Sequence, residues 1–422
     1  MITELRAHNF KSWQATGEIR FAPLTGFFGA NNSGKSSILQ ILLLLKQTTE
    51  QPPEWNEPLY YGNAESLVNL HGFDDIIHHP IKVPSLSISV SWQLPKDVTI
   101  LSQANLDVLS FYFNLFNTRV GRLTYQVGEH EFGIETESGR HVFKASTRPD
   151  HWEGANLFRC YGFRFHPSNT SGKLSDLEEA FEELFSRVHY LGPRRVDPRH
   201  DYTWEGDHPE DVGQYGEKTI PALLSGRILR RSIEDDILKR LQRLELIDSY
   251  DVLPVSAAGK NYDFLVRQYK DGPEVGLTDV GFGVSQILPL ITQCYCVPEG
   301  SILILENPEA HLHPKVQSEL ADVFIDVVKN RNIQIILESH SEHLLHRLTR
   351  RIAEGEECKE GISVDKTAFH FCEIKDGIST AKQLEVDTYG RISNWPKDFF
   401  GDDVGDLVEK TKAEMKRRKE DK

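Results

Sequence analysis

The chain has 422 residues, 39 % hydrophobic and 26 % charged, with 48 Lys and Arg against 63 Asp and Glu and a formal net charge of −15. That is a globular composition, with length enough for two or three folding units, and the negative balance argues against a general nucleic-acid coat, whose affinity comes from phosphate neutralisation. The apolar run near the start, Ile41–Leu45, falls far short of a bilayer span of roughly 20 residues, Met1-Ile2-Thr3-Glu4 does not open like a signal peptide, and Cys160, Cys294, Cys296, Cys358 and Cys372 form no C-x-x-C pair, so a reduced, cytoplasmic chain with no membrane attachment, zinc site or disulfide framework is expected.

Extended chain is expected around Ile2, Leu5 and Phe10, and again around Ile19, Phe21, Leu24, Phe27 and Phe28. The run from Ser37 to Leu45 is apolar on most sides and reads as a buried helix, ended by Pro52-Pro53. Between strand and helix stands Gly29-Ala30-Asn31-Asn32-Ser33-Gly34-Lys35-Ser36, a complete G-x-x-x-x-G-K-S. Glycines let backbone N–H groups curl around phosphates at a helix N-terminus, a lysine bridges the β- and γ-phosphates, and the serine hydroxyl holds Mg²⁺. The motif predicts a nucleoside triphosphate site. Residues 1–80 are read as the first part of this unit.

Residues 81–190 read as a β-rich and helical insertion. Ser85 to Trp92 alternates strictly, Arg122–Val127 and Phe132–Glu135 look like further strands, and Ser175–Val188 looks like an amphipathic helix. A helical lobe over 191–270 centres on a helix from Arg227 to Leu246. It has a stripe of Leu229, Ile233, Ile237, Leu241 and Leu244, with Arg230, Arg231, Lys239, Arg240 and Arg243 elsewhere. Its basic face is either merely solvated or turned to DNA or a protein partner, and the Arg194, Arg195, Arg199 cluster is read as part of the same contact surface.

Over 271–345 three features follow in order. Thr278 to Gln286, with Gly281 and Gly283, leads into an apolar helix over Ile287–Gln293, a second glycine-rich helix N-terminus suited to phosphate. Ser301 to Glu309 is a buried strand ending in acids, as a Walker B carboxylate requires. Ile333–Leu337 is another strand, ending in Glu338-Ser339-His340-Ser341, where a histidine can reach a γ-phosphate or an attacking water. His340, like His311 and His313, also admits a purely structural reading. Residues 346–422 begin basic and carry strands around Phe369–Ile374; they read as a small docking module or as an extension of the ATPase sheet. The charged tail from Asp403 reads as a frayed helix.

Taken in this order, the motifs resemble the ABC-type ATPase heads of the SMC, RecF and OLD-like proteins, over roughly residues 1–50 and 270–345. The opening Leu5-Arg6-Ala7-His8-Asn9-Phe10-Lys11-Ser12 looks like that group's N-terminal strand. Within the group the chain is similar to single-chain bacterial AAA ATPases with a C-terminal domain of unknown function. The likeness runs through Glu306 to Pro314, Glu338 to His343, Gly192-Pro193-Arg194-Arg195, Val212 to Glu217, and Gly390-Arg391 to Trp395-Pro396.

The resemblance implies an α/β fold, a P-loop ABC-type head with a β-rich insertion and no long coiled-coil arm, using ATP and Mg²⁺. Gly29, Asn31, Asn32, Ser33, Gly34, Lys35, Ser36 and Ser37, with Lys11, would hold the nucleotide, and Ser36 and Glu306 the metal. Gly281 and Gly283 would cap the γ-phosphate of a second copy, giving a homodimer or higher oligomer through ATP-sandwiched heads. The catalytic set would be Glu306, Asn307, Glu309 and the switch histidine His340.

Two departures from the pattern matter. The serine of the signature is replaced by Gly281, and the catalytic Glu after the Mg²⁺ carboxylate is Asn307. An amide cannot take a proton from water, so slow turnover is expected, with Glu309 as a substitute. No heptad run long enough for an arm lies between Lys35 and Glu306. No D-x-D pair follows His340, so the chain is expected to cut nothing itself. By analogy with ATPases of antiviral systems (Septu PtuA-type and PARIS AriA-type), the implied role is a nucleotide-gated sensor or scaffold for a separate effector, a nuclease or toxin, with DNA a further candidate partner. A RecF-like DNA-repair clamp is the alternative, and a transporter subunit a remoter third.

Overall fold

The computed structural model describes the chain except residues 53, 80–83, 95–106, 117, 138–139, 146–147, 154–158, 163–170, 230, 257–258, 397–409, 415–416 and 418–422. Three strands open it, β1 (Ile2–Phe10), β2 (Trp13–Ala15) and β3 (Ile19–Arg20). Next come β4 (Leu24–Gly29), buried along its length, and α1 (Lys35–Thr49). A short α2 (Phe73–Ile76) precedes a meander of β5 (Ser85–Gln93), β6 (Val108–Phe116), β7 (Arg119–Val127), β8 (His130–Glu137), β9 (Arg140–Ala145) and β10 (Arg148–Glu153). After it come α3 (Ser171–Ser186), β11 (Val188–Leu191), β12 (Tyr202–Thr203), α4 (Thr219–Leu229), α5 (Arg231–Arg243), β13 (Ser249–Pro254), β14 (Asn261–Arg267) and β15 (Glu274–Gly276). The chain continues through α6 (Phe282–Cys296), β16 (Ile302–Glu306), α7 (Pro314–Arg331), β17 (Gln334–Ser339), α8 (Glu342–Glu354), β18 (Thr367–Lys375) and β19 (Ile378–Gln383).

The central sheet has the order β11-β16-β17-β4-β18-β19 and is parallel except for β19. Its strands are near-continuous apolar runs, as strands covered on both faces require. Because β4, β17 and β16 run the same way in register, Glu306 lies beside Glu338, and Glu338 beside Phe27. The carboxyl ends of these strands therefore meet the loop after β4 at one edge of the sheet, where open α/β sheets bind ligands.

A second, antiparallel sheet runs β10-β9-β8-β7-β6-β5-β1-β2, with β3 also on β1. The insertion thus continues the N-terminal strands. The alternation in β5 puts Leu86, Ile88, Val90 and Trp92 into a core shared with Ile38 and Leu42 of α1 and Phe181 of α3. A four-stranded sheet of β12 to β15 packs with α4 to α8 around the other core.

Several local expectations change. The helix expected over Arg227–Leu246 is two helices, α4 and α5. Ile237, Leu241 and Leu244 are buried as the stripe predicts, but Leu229 is 60 % exposed, because α4 buries Ile220, Leu223 and Leu224 instead. The basic face is matched by acids: Arg227 pairs with Glu234 at 2.6 Å, Arg240 with Asp326 at 2.5 Å, and Arg243 with Glu360. Such pairs add little stability, yet they compensate the positive charge of these three arginines, which a DNA-facing surface would leave free. Arg230 lies outside the described residues, and so does most of the tail from Asp403. The helix expected over Ser175–Val188 starts earlier, as α3, and Val188 already belongs to β11. Residues 367–383 extend the central sheet, with β18 parallel to β4. Among the described residues no helix is long and apolar enough to cross a membrane.

Candidate nucleotide site

The loop between β4 and α1 curls through positive φ at Asn32 (61°) and Gly34 (93°). Gly29 has φ 139°, and a Cβ there would stand 2.1 Å from the Cys372 carbonyl oxygen of β18, so only glycine fits against that strand. The Trp13 indole N–H donates to the Gly34 carbonyl at 3.1 Å and backs the loop from β2. Lys35 is only 2 % exposed; its Nζ donates to the carbonyls of Gly29 (3.0 Å) and Ala30 (2.7 Å) and stands 3.8 Å from Glu338 Oε1. Burial lowers its pKa, and Glu338 works in the opposite direction. The ammonium is thus folded onto its own loop, in bonds that an incoming phosphate would exchange. Ser33 Oγ is buried without a partner, while Asn31 and Asn32 are exposed.

Facing this loop are the strand-end acids. Glu306 accepts a hydrogen bond from the Tyr190 hydroxyl at 3.1 Å. Burial, reinforced by Glu338, pushes its pKa up to about 7, against Tyr190, Arg195 and Lys11. Burial also raises Glu338, held back by a hydrogen bond from the Ser36 hydroxyl and by Lys35. Asn307 sits at φ 46° with its N–H on the Glu338 carbonyl at 2.9 Å, and its Oδ1 is buried without a partner. Glu309 is 7 % exposed, accepts the His340 backbone N–H at 2.6 Å, and is raised by burial. Burial and Lys35 lower the His340 pKa, and the Gly29 carbonyl works in the opposite direction. Lys11 holds Gln40 of α1 at 2.5 Å.

The structure therefore gathers Gly29, Ser33, Gly34, Lys35, Ser36, Lys11, Glu306, Asn307, Glu309 and His340 at one sheet edge. Gly281 and Gly283 stand apart at the start of α6. Among the described residues no hydrogen bond joins them to the P-loop, and a Cβ at either would meet open space. Phe282 between them is 50 % exposed, with its ring against that of His311.

Three residues at the site went unassigned in the sequence. Glu338 is the twin of Glu306, and the same argument, an acid ending an apolar strand, applies to it. Tyr190 stands in the buried run Val188–Leu191, and its one polar atom was the available signal. Arg195, read as part of a contact surface, is half-buried, and burial lowers its pKa to about 10.

Among the described residues no three His, Cys, Asp or Glu side chains are placed to hold a metal unaided. A Ser36 hydroxyl between Glu338 and the loop, with Glu306 alongside, suits an ion that takes one or two protein carboxylates and completes its shell with phosphate and water. The residues fit Mg²⁺ with a triphosphate.

One consequence concerns pH. Folded, Glu306 holds its proton to about 7, whereas the ordinary glutamate value is 4.5. A raised acid contributes stability at low pH that is lost as pH climbs through its folded value. Glu306→Gln in the nucleotide-free protein is therefore expected to match wild type at pH 4 and to melt higher at pH 8. The gain would be about 1 °C for each kcal/mol of relief in a chain of this length, read by calorimetric melting; a variant that melts lower at pH 8 would contradict this.

A family model described as the AAA ATPase domain matches residues 1–119 and 231–345, more than half of the chain. A second, a protein family of unknown function (DUF3696), matches 362–409, which includes β18 and β19. No curated protein matches. Among solved structures, an SMC head bound to the C-terminal winged-helix domain of ScpA is similar at 13 % identity and TM-score 0.47, covering 92 % of this chain and 98 % of that one. The SMC head domain from Thermotoga maritima follows at 10 % and 0.44, covering 91 % and 99 %. A Pyrococcus furiosus SMC head with an extended coiled coil, bound to the C-terminal domain of ScpA, gives 11 % and 0.46, covering 91 % and 96 %.

Proposed function

The chain belongs to the AAA ATPase domain family, and from that premise we propose that it is an ATP-binding, dimerising ATPase acting as a nucleotide-gated sensor or scaffold for a separate effector. The observation that carries this reading is the meeting of Lys35 and Ser36 with Glu306 and Glu338 at the carboxyl edge of one parallel sheet. Lys35 would leave its loop carbonyls for phosphate oxygens, joined by the loop N–H groups and the N-terminus of α1. Ser36 and Glu306 would hold Mg²⁺, whose part is to neutralise charge on the phosphates.

Proton removal from water is where this chain is weak. Asn307 occupies the position after the metal-side carboxylate, and its amide cannot serve. Glu309 is the proposed substitute; burial lifts its proton affinity towards that of a usable base. One of its oxygens is already engaged by the His340 N–H, so we propose slow hydrolysis and long-lived ATP-bound pairs. The exposed start of α6, with Gly281 and Gly283 free of neighbours, supports capping of the partner head's nucleotide. A nuclease or toxin as effector, and a place in bacterial antiviral defence, rest on the resemblance drawn from the sequence. The pairing of Arg240 with Asp326 and of Arg243 with Glu360 on α5 counts against the alternative of a RecF-like clamp on DNA.

The test is steady-state phosphate release from ATP, with Lys35→Ala as the blank. Turnover above the blank but well below the roughly 1–10³ s⁻¹ of ordinary enzymes is expected. Ordinary rates would refute slow hydrolysis, and failure of wild type to bind ATP would refute the whole reading.

A further inference from the structure

The segment Gly192-Pro193-Arg194-Arg195 leaves the carboxyl end of β11. That strand lies parallel to β16, with Tyr190 beside Ile304 and Leu191 beside Leu305. One step further stand Gly192 and Glu306, so residues 192–195 emerge next to the acid. The segment is firmly held: the Gly192 N–H donates to the Gln214 carbonyl and the Val196 N–H to the Tyr215 carbonyl, both at 2.9 Å. The strap carrying Gln214 and Tyr215 is itself fixed to α6, through Val212 N–H to Gln293 Oε1 at 2.8 Å and through Gly216, where a Cβ would meet Pro289 at 2.7 Å.

Arg194 is exposed. Arg195 is turned inward, and its Nε and Nη1 are buried with no hydrogen-bond partner. Burial lowers its pKa only to about 10, with Tyr190 and Glu306 favouring the charged form, so it remains a cation at neutral pH. Lys11, the other cation that acts on Glu306, is already bonded to Gln40. Two buried guanidinium nitrogens without hydrogen bonds are unfavourable unless an acceptor arrives to meet them, and the planar fork suits phosphate oxygens.

The sheet order β4-β17-β16-β11 places the P-loop and Arg195 on opposite sides of Glu306, about three strand spacings or roughly 14 Å apart at the backbone. A triphosphate cradled from β4 whose terminal phosphoryl group reached Glu306 would have Arg195 on its far side. We propose that Arg195 is a phosphate-contacting residue of this site, its unpaired guanidinium taking an anionic oxygen of the terminal phosphoryl group from the side opposite Lys35. The proposal rests on ATP binding at the P-loop as set out above.

Calorimetric titration of the full chain with Mg·ATP and with Mg·ADP tests it, on wild type, Arg195→Met and Arg195→Lys. Arg195→Met is expected to weaken ATP about 10–100-fold, the range of one charged hydrogen bond, and ADP under about threefold. Its nucleotide-free melting temperature should change little, since Nε and Nη1 give up no hydrogen bond and the lost attraction to Glu306 is offset by the burial cost removed with the charge. Arg195→Lys should recover part of the ATP affinity. Equal ATP affinity in Arg195→Met and wild type would overturn the proposal, as would equal loss of ATP and ADP with a lowered melting temperature, the mark of a merely structural residue. Wild type that fails to bind Mg·ATP would overturn the nucleotide reading itself, and this proposal with it.

Discussion

Asn307→Glu is expected to raise steady-state turnover by on the order of 10²-fold, the lower end of the range a positioned general base supplies. The position is right for such a group: it directly follows Glu306, and the present Oδ1 is buried with no partner. The lower end is chosen because residue 307 holds φ 46° with its N–H on the Glu338 carbonyl. Asparagine tolerates that left-handed backbone better than glutamate does, so the variant should lose roughly 1–2 kcal/mol of stability while gaining rate. Glu309→Gln completes the test. In the wild-type background it should remove most of the residual turnover; in the Asn307→Glu background it should change turnover little. An unaltered rate in Asn307→Glu, measured by phosphate release under single-turnover conditions, would mean that proton removal does not limit the reaction.

What the sequence discloses here follows from how local each requirement is. The P-loop was readable because its glycines, lysine and serine serve one turn of backbone and stand next to one another in the chain. Glu306 was readable because an acid after Ile302-Leu303-Ile304-Leu305 can only emerge from a strand end. Glu338 meets the same description, but its partnership with Ser36 and Lys35 depends on β17 lying between β16 and β4, and no pattern within the strand specifies its neighbours. The strand around Phe369–Ile374 was equally visible, while its partner β4 is hundreds of residues earlier in the chain, so docking module and sheet extension looked alike. Arg195 misled because a charged, proline-containing segment reads as surface; only the register of β11 on β16 turns it inward. The apolar spacing from Leu229 through Ile233 and Ile237 to Leu241 fits one helix, yet α4 already has its own buried face, and the periodicity runs on past the end of that helix.

Gly283→Glu is expected to abolish ATP-dependent pairing of the heads while leaving the fold intact. A Cβ at Gly283 meets nothing within 4 Å, so the side chain enters open space. The position lies in the first turn of the 15-residue α6, where replacing glycine improves helix propensity and a carboxylate interacts favourably with the helix dipole, by about 0.3–1 kcal/mol. The melting temperature should therefore hold or rise slightly. The same carboxylate would stand where a partner's triphosphate is to be capped, and like charges there repel. Stability and pairing are thus predicted to move in opposite directions, which separates a binding surface from a packing defect. Sedimentation velocity with Mg·ATP is the measurement: wild type should double its mass, and Gly283→Glu should remain a monomer that still binds ATP at its own P-loop. Hydrolysis as slow as proposed would leave pairs that outlive a sedimentation run and need no trapping. A Gly283→Glu protein that still pairs with ATP would place the contact between heads somewhere other than the start of α6.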